Sequence, residues 1–359
     1  IIIFSGVILF YLIKVSLISK EEIRIVVVIL ILSFLITLTL GFIEQNKSME
    51  IYKSIYVYLP NTHYGHDGRL MSPFTNVNEM ATYIIMLFPL IILLNGEALF
   101  ENKSLSFILS FLMLAAVFLA IYGLLDIRSS NSIFTLFFVL FIGTIFYFLK
   151  GYRFIQFHRT LLKRMVTLFT FFAFLSILFI SVVDRNKVFD INHFSLRQGG
   201  SVSHFFSTEY LISKILDKNR RALWQKSLEV WSENPIMGVG IGAYKALDGV
   251  PKSMEFHDEV LKGMDPHNYY LLILSQLGLL GFIPFIGIVF IIIFQGKASL
   301  EKMKNPLEQK IMYGIWLGLI GLLFSSVGDH ILGFIEVQFL FWSMLGILFS
   351  MNSLEVEHE

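Results

Sequence analysis

An imidazole can take up or give back a proton near neutral pH, because its ordinary pKa lies near 6.5. His267 stands in Asp265-Pro266-His267-Asn268-Tyr269-Tyr270, directly ahead of a long apolar run. Proline is favoured in a first helical turn, so His267 falls at a helix start, beside a positive helix end that attracts anions. It reads either as a polar anchor or as a catalytic group. Arg220, Trp224, Leu228 and Trp231 recur at helical spacing and share one face of a helix over 217–232, with Arg221 beside them. Glu233-Asn234-Pro235 ends that helix, since proline disfavours helical backbone in the residue before it. Gly238, Gly240 and Gly242 follow at alternate positions, which opens backbone conformations closed to other residues. They read as a tight turn or as a phosphate nest; the spacing is not that of a dinucleotide fingerprint. Arg128 lies at the mouth between two apolar runs, as a ligand-binding cation or a side chain reaching lipid headgroups. His63, His66 and Asp67 have a spacing a metal tolerates, but histidines three apart in loops are common by chance, and no metal is expected. Asp265 and Glu209 read as solvated loop charges or as aids to His267, and Glu336 as a paired or protonated carboxyl inside an apolar run.

The elements that must position these groups are membrane helices. Of 359 residues 55% are hydrophobic and 15% charged, at a mean hydropathy of +0.71, where soluble chains carry about 25% charged residues. That excludes a cytosolic enzyme. Balanced charge, 28 Lys and Arg against 27 Asp and Glu, excludes a nucleic-acid binder, and the absence of cysteine excludes disulfides and thiolate chemistry. Runs long enough, or nearly so, to cross about 30 Å of hydrocarbon lie at 1–18, 23–43, 80–95, 105–125, 131–149, 165–183, 267–294, 311–327 and 331–350. Several, such as 25–40, are apolar on every face, which suits helices and not barrel strands.

The expected fold is therefore all-α, a polytopic membrane helical bundle of about nine spans with a large helical segment outside. It divides into 1–183 with an outer loop at 44–79, an outer segment 184–266, a second set of spans at 267–350 and a tail at 351–359. Further spans are expected before Ile1, because the chain does not start at Met. One set of short loops holds Lys20, Arg24, Lys103, Lys150, Arg153, Arg159, Lys163, Arg164, Lys297, Lys302, Lys304 and Lys310; the other holds only Lys47, Lys53, Arg69 and Arg128. The first set is expected in the cytoplasm and both polar stretches outside.

Three stretches resemble one family. Arg69-Leu70, Phe74, Asn76, Asn78 and Ala81 match in spacing an outer stretch of the O-antigen ligase and polymerase family. Arg220 to Trp224 followed by Asn234-Pro235 to Tyr244 is similar to a second, and His267-Asn268-Tyr269-Tyr270-Leu271 with Gly278-Leu279-Leu280-Gly281-Phe282 to a third. Asn219 stands where the family often has Gly, which makes Arg221 an alternative to Arg220; Val77 replaces a Pro, and the Arg128 region matches only loosely.

The resemblance implies a metal-independent, cofactor-free glycosyltransferase in the bacterial inner membrane. Its donor is a glycan on undecaprenyl diphosphate, and its acceptor another lipid-linked glycan, lipid A core or a protein. It implies His267 and Arg220 as catalytic residues and Arg221, Arg128 and Arg69 as diphosphate ligands. Asn268, Asn78, Tyr270, Gly238, Gly240, Gly242 and Trp224 are expected to support them. Membrane lipids are expected partners, and nucleic acid is not. In that reaction the diphosphate leaves as an anion, so it needs cations more than acid assistance, and guanidinium groups bind phosphate oxygens in pairs. The attacking hydroxyl must lose a proton, which His267 can accept or which it only helps to orient. Direct attack inverts the anomeric carbon. A transporter would gather charge at midspan; here Lys14 and Glu336 alone are expected there.

Overall fold

A computed structural model describes residues 2–17, 19–45, 70, 73–74, 76–94, 99, 102–127, 129–149, 218–246, 264–303 and 305–356. Among the described residues the fold is all-α. The helices are α1 (Ile2–Ser16), α2 (Lys20–Gln45), α3 (Val77–Leu93), α4 (Lys103–Ile127), α5 (Ser130–Leu149), α6 (Lys218–Glu233), α7 (Tyr269–Lys302), α8 (Pro306–Gly328) and α9 (Ile335–Val356). Short 3-10 turns cover Ala243–Ala246 and Ile331–Gly333. By length and composition α2, α4, α7, α8 and α9 can each cross a membrane, and α1, α3 and α5 are shorter apolar helices. The expected spans thus appear as helices, except 165–183, which lies outside the described residues.

Local chemistry sets the helix starts. At α2, Ser19 Oγ accepts from the Glu22 N–H (3.2 Å) while Glu22 Oε2 accepts from the Ser19 N–H (2.9 Å), a reciprocal cap. Asn305 caps α8 ahead of Pro306, and Asn76 caps α3 through the Asn78 N–H. The structure refines the place of Glu336: α9 begins at Ile335, so the carboxylate sits exposed in the first turn of the last apolar helix, where a positive helix end favours it.

The centre of the bundle is α3 against α8. Residues 79–91 of α3 are all buried. Gly314 and Gly318 of α8 sit directly on the backbone of Leu90 and Met86, so any side chain there would strike the neighbouring helix. Without apolar surface to hide from water, helices in lipid associate through such close approach of small residues. Outward faces are apolar instead: Phe107 is 74% exposed and Phe294 62%, as lipid would solvate them. At one end of the bundle Lys20 Nζ meets Glu308 Oε2 at 3.0 Å. The starts of α3 and α7 and the end of α8 gather at the other, which holds the candidate site.

Candidate active site

The long helix α7 is broken near its start. Gly278 has φ 60° and ψ −159°, which opens two helical hydrogen bonds. The loop after α6 fills the opening. The Ser275 and Gln276 carbonyls accept from the Val239 and Gly240 N–H groups (3.0 and 2.8 Å), while the Leu279 and Leu280 N–H groups donate to the Pro235 and Ile236 carbonyls (2.9 and 3.0 Å). Every group freed by the break is thereby paired again, as burial requires. This is what the glycine run does. Gly238, Gly240 and Gly242 all have positive φ, and a Cβ on Gly238 or Gly278 would strike the backbone of the other strand of the junction. Gly278→Ala should therefore lower thermal stability in detergent by about 1 to 3 kcal/mol from backbone strain alone, and by more from the collision. Gly240→Ala, with nothing within 4 Å of its Cβ, should cost only the strain, which parallel melts of the two variants would resolve.

α6 carries the arginines onto this junction. Trp224 Nε1 donates to the Pro266 carbonyl at 2.9 Å, one residue before His267. Arg220 lies one turn earlier on the same face, partly buried, and Arg221 is exposed. Behind them Ser227 Oγ lies 3.0 Å from the Tyr244 hydroxyl, which donates to the Leu223 carbonyl at 3.1 Å. Burial pushes the Tyr244 phenol up to about 12, and the Lys226 ammonium lies 5.2 Å from the ring centroid. Tyr244 is thus a neutral strut at neutral pH.

His267 is the one non-glycine residue with positive φ (47°) among the described residues. Such strain persists where the surroundings hold it, often at functional sites. Two features hold it here. Asn268 caps α7 by accepting from the Leu271 N–H (3.1 Å), and Tyr270 donates to the Leu323 carbonyl of α8 (3.0 Å). The ring, 39% exposed, then meets the end of α8: His267 Nδ1 lies 3.1 Å from Oδ1 of Asp329, which is 3% exposed.

Asp329 is the hub of the site. Its Oδ1 also accepts from the His330 N–H at 2.8 Å, and its Oδ2 accepts from Asn78 Nδ2 at 2.6 Å. His330 Nδ1 is 3.0 Å from Oδ1, at ion-pair distance but without hydrogen-bond geometry. Burial pushes the Asp329 carboxyl up, yet its contacts with the two imidazoles outweigh this and hold it well below the usual carboxylate range. Asp265 differs from expectation. It is buried, and its Oδ2 lies 3.2 Å from His330 Nε2, so it is not a solvated loop charge.

Of the expected site residues, His267, Asn78, Asn268 and Tyr270 meet around Asp329 and the end of α8, and Trp224 anchors the helix of Arg220 to them. Arg69, Arg128, Glu209, His63, His66 and Asp67 lie outside the described residues. Leu70 and Asp126, neighbours of the first two, are joined by a 2.7 Å hydrogen bond. Sequence reading misses Asp329 and His330. Their signal is weak: two ionisable residues in a gap of a few residues between apolar runs.

A bundle of lipid-facing apolar helices makes this a polytopic helical membrane protein. The family model for O-antigen ligase matches residues 80–286, more than half of the chain, and the chain belongs to that family. The assignment makes it a membrane protein of glycan transfer, of ligase or polymerase type, acting on lipid-linked glycan and an acceptor. The match takes in Arg220 and His267; Asp329 and His330 lie beyond it. No curated protein matches the chain.

Proposed function

We propose that this protein transfers a glycan from undecaprenyl diphosphate to an acceptor hydroxyl at the outer face of the bacterial inner membrane, with inversion at the anomeric carbon and without a metal. The observation that carries the reading is the His267–Asp329 pair, strained into place at the end of the bundle beside the helix of Arg220. Asp329 takes the Nδ1 proton of His267 as its hydrogen bond and leaves Nε2 with a free lone pair. Nε2 accepts the proton of the attacking hydroxyl as that oxygen bonds to the anomeric carbon. The bond from that carbon to the diphosphate breaks, and the diphosphate departs as an anion. Asp329 then stabilises the imidazolium, so the carboxylate orients and does not itself take the proton.

Arg220 and Arg221, with Arg128 and Arg69, are assigned to the diphosphate. Removing one such contact typically costs on the order of 3 kcal/mol of transition-state stabilisation, so Arg220→Ala is expected to slow transfer about 100-fold. In this reading the chain divides into spans over 1–183, an outer segment at 184–266, spans over 267–350 and a tail.

Within the family the polymerase role is favoured, with a lipid-linked glycan as acceptor; the alternatives are ligation to lipid A core and transfer to protein. Against a transporter stands the position of Glu336 at a helix start and of the paired ionisable groups at one end of the bundle. The test is a deletion host complemented with wild type, His267→Ala or Arg220→Ala, its surface polysaccharide run on a gel. Mutants that retain a single attached repeat but lose the ladder indicate a polymerase. Loss of all attached glycan indicates a ligase, and normal ladders from both mutants would refute the site.

A further inference from the structure

His330 is not used by the reaction above, and its surroundings are unusual. Its Nε2 faces the buried carboxylate of Asp265 at 3.2 Å. With the ring proton there, the neutral ring leaves a bare lone pair on Nδ1, 3.0 Å from Asp329 Oδ1. That nitrogen is buried and makes no hydrogen bond. A lone pair held against an anion inside protein is unfavourable unless something positive lies between them.

A divalent cation would satisfy that arrangement. His267, Asp329 and His330 each offer one ligand atom, and these atoms lie within 4.8 Å of one another. The nitrogen–oxygen separations of 3.1 and 3.0 Å are close to the edge of a tetrahedron with zinc–ligand bonds near 2.0 to 2.1 Å, about 3.3 Å. The outer shell is also present. Metal-bound histidines hand their second ring nitrogen to a carboxylate, as His330 does to Asp265, and metal-bound carboxylates are themselves hydrogen-bonded, as Asp329 is by Asn78 (2.6 Å). The ring of His267, 39% exposed, leaves a route for the ion from outside. Two imidazoles and one carboxylate select zinc or a similar transition ion over magnesium or calcium.

We infer that His267, Asp329 and His330 bind zinc, and that the bound ion switches transfer off. The inference rests on His267 being the base. With zinc on Nδ1, the His267 proton moves to Nε2, and the nitrogen that must accept the hydroxyl proton has no lone pair left.

The test uses the full chain in nanodiscs, stripped with a chelator and titrated with Co²⁺, whose visible absorption reports tetrahedral coordination, and then with Zn²⁺. A visible band that saturates at one ion per chain and is displaced by Zn²⁺ is expected. His330→Gln should abolish it. Asp265→Asn, which keeps all three ligands, should weaken it about 10- to 100-fold. Zn²⁺ should stop transfer over the concentration range in which it displaces Co²⁺, while the chelated protein stays active. Absence of the band, or an unchanged band in both variants, overturns the site. It leaves the proposed reaction standing if His267→Ala is still inactive. Chelated protein that is inactive and revived by Zn²⁺ overturns the inhibitory role and the metal-free reaction together.

Discussion

His267→Ala is expected to lower the turnover of reconstituted protein by about 10² to 10⁴, the usual contribution of a positioned general base. The loss should fall on kcat. A histidine that only held the acceptor in place would raise KM, since uniform binding is lost without change to the chemical step. The fold should survive, because the ring is partly exposed and the local structure is held by the Asn268 cap and the Tyr270 bond to α8. His267→Gly sharpens the test. It removes the imidazole and at the same time relieves the φ of 47°, so it should melt higher than the alanine variant and be as inactive. An active glycine variant would show that the strained backbone, and not the ring, matters.

Asp329→Asn is expected to cost nearly as much. The carboxylate is the acceptor for the His267 ring, and its other oxygen receives Asn78. An amide in its place can turn its NH₂ toward Nδ1, which leaves the Nε2 tautomer protonated and unable to accept. A charge-stabilising partner for the imidazolium is lost as well. A drop of about 10² or more is expected, and the double variant with His267→Ala should be no slower than His267→Ala alone, because residues that act as one unit do not add. Independent, multiplicative losses would mean that Asp329 serves the fold or the diphosphate and not the imidazole. Asn78→Ala, which removes only the outer hydrogen bond, should fall between wild type and Asp329→Asn in the same assay.

Much of the fold is legible in the sequence. Length and hydropathy located the helices, since lipid leaves the backbone no other way to satisfy itself. The stop at Pro235 and the alternate glycines also fell where expected, and each glycine has positive φ. The purpose of those glycines was hidden. It depends on the break at Gly278, some forty residues later, whose freed N–H and carbonyl groups pair with that loop. Asp329 was hidden for a similar reason. Only the docking of α7 on α8 brings it to His267, 62 positions away, and no local pattern encodes such a pairing. Asp265 was misread because its burial comes from packing that sequence proximity to His267 does not reveal. Glu336 reads from the sequence as lying well inside an apolar run because hydropathy marks helix ends poorly; the turn at Ile331–Gly333 takes up the start of that run and leaves the carboxylate in the first turn of α9.

The most direct measurement is single-turnover transfer in proteoliposomes loaded with a lipid-diphosphate-linked glycan and an acceptor, in the presence of a chelator, with released lipid diphosphate and extended glycan quantified together. Wild type is expected to release the two in equal amounts with an inverted linkage, His267→Ala and Asp329→Asn to release almost none. Wild type that forms no product, or His267→Ala that forms it at the wild-type rate, would contradict the assignment of His267 and Asp329 as the reacting pair.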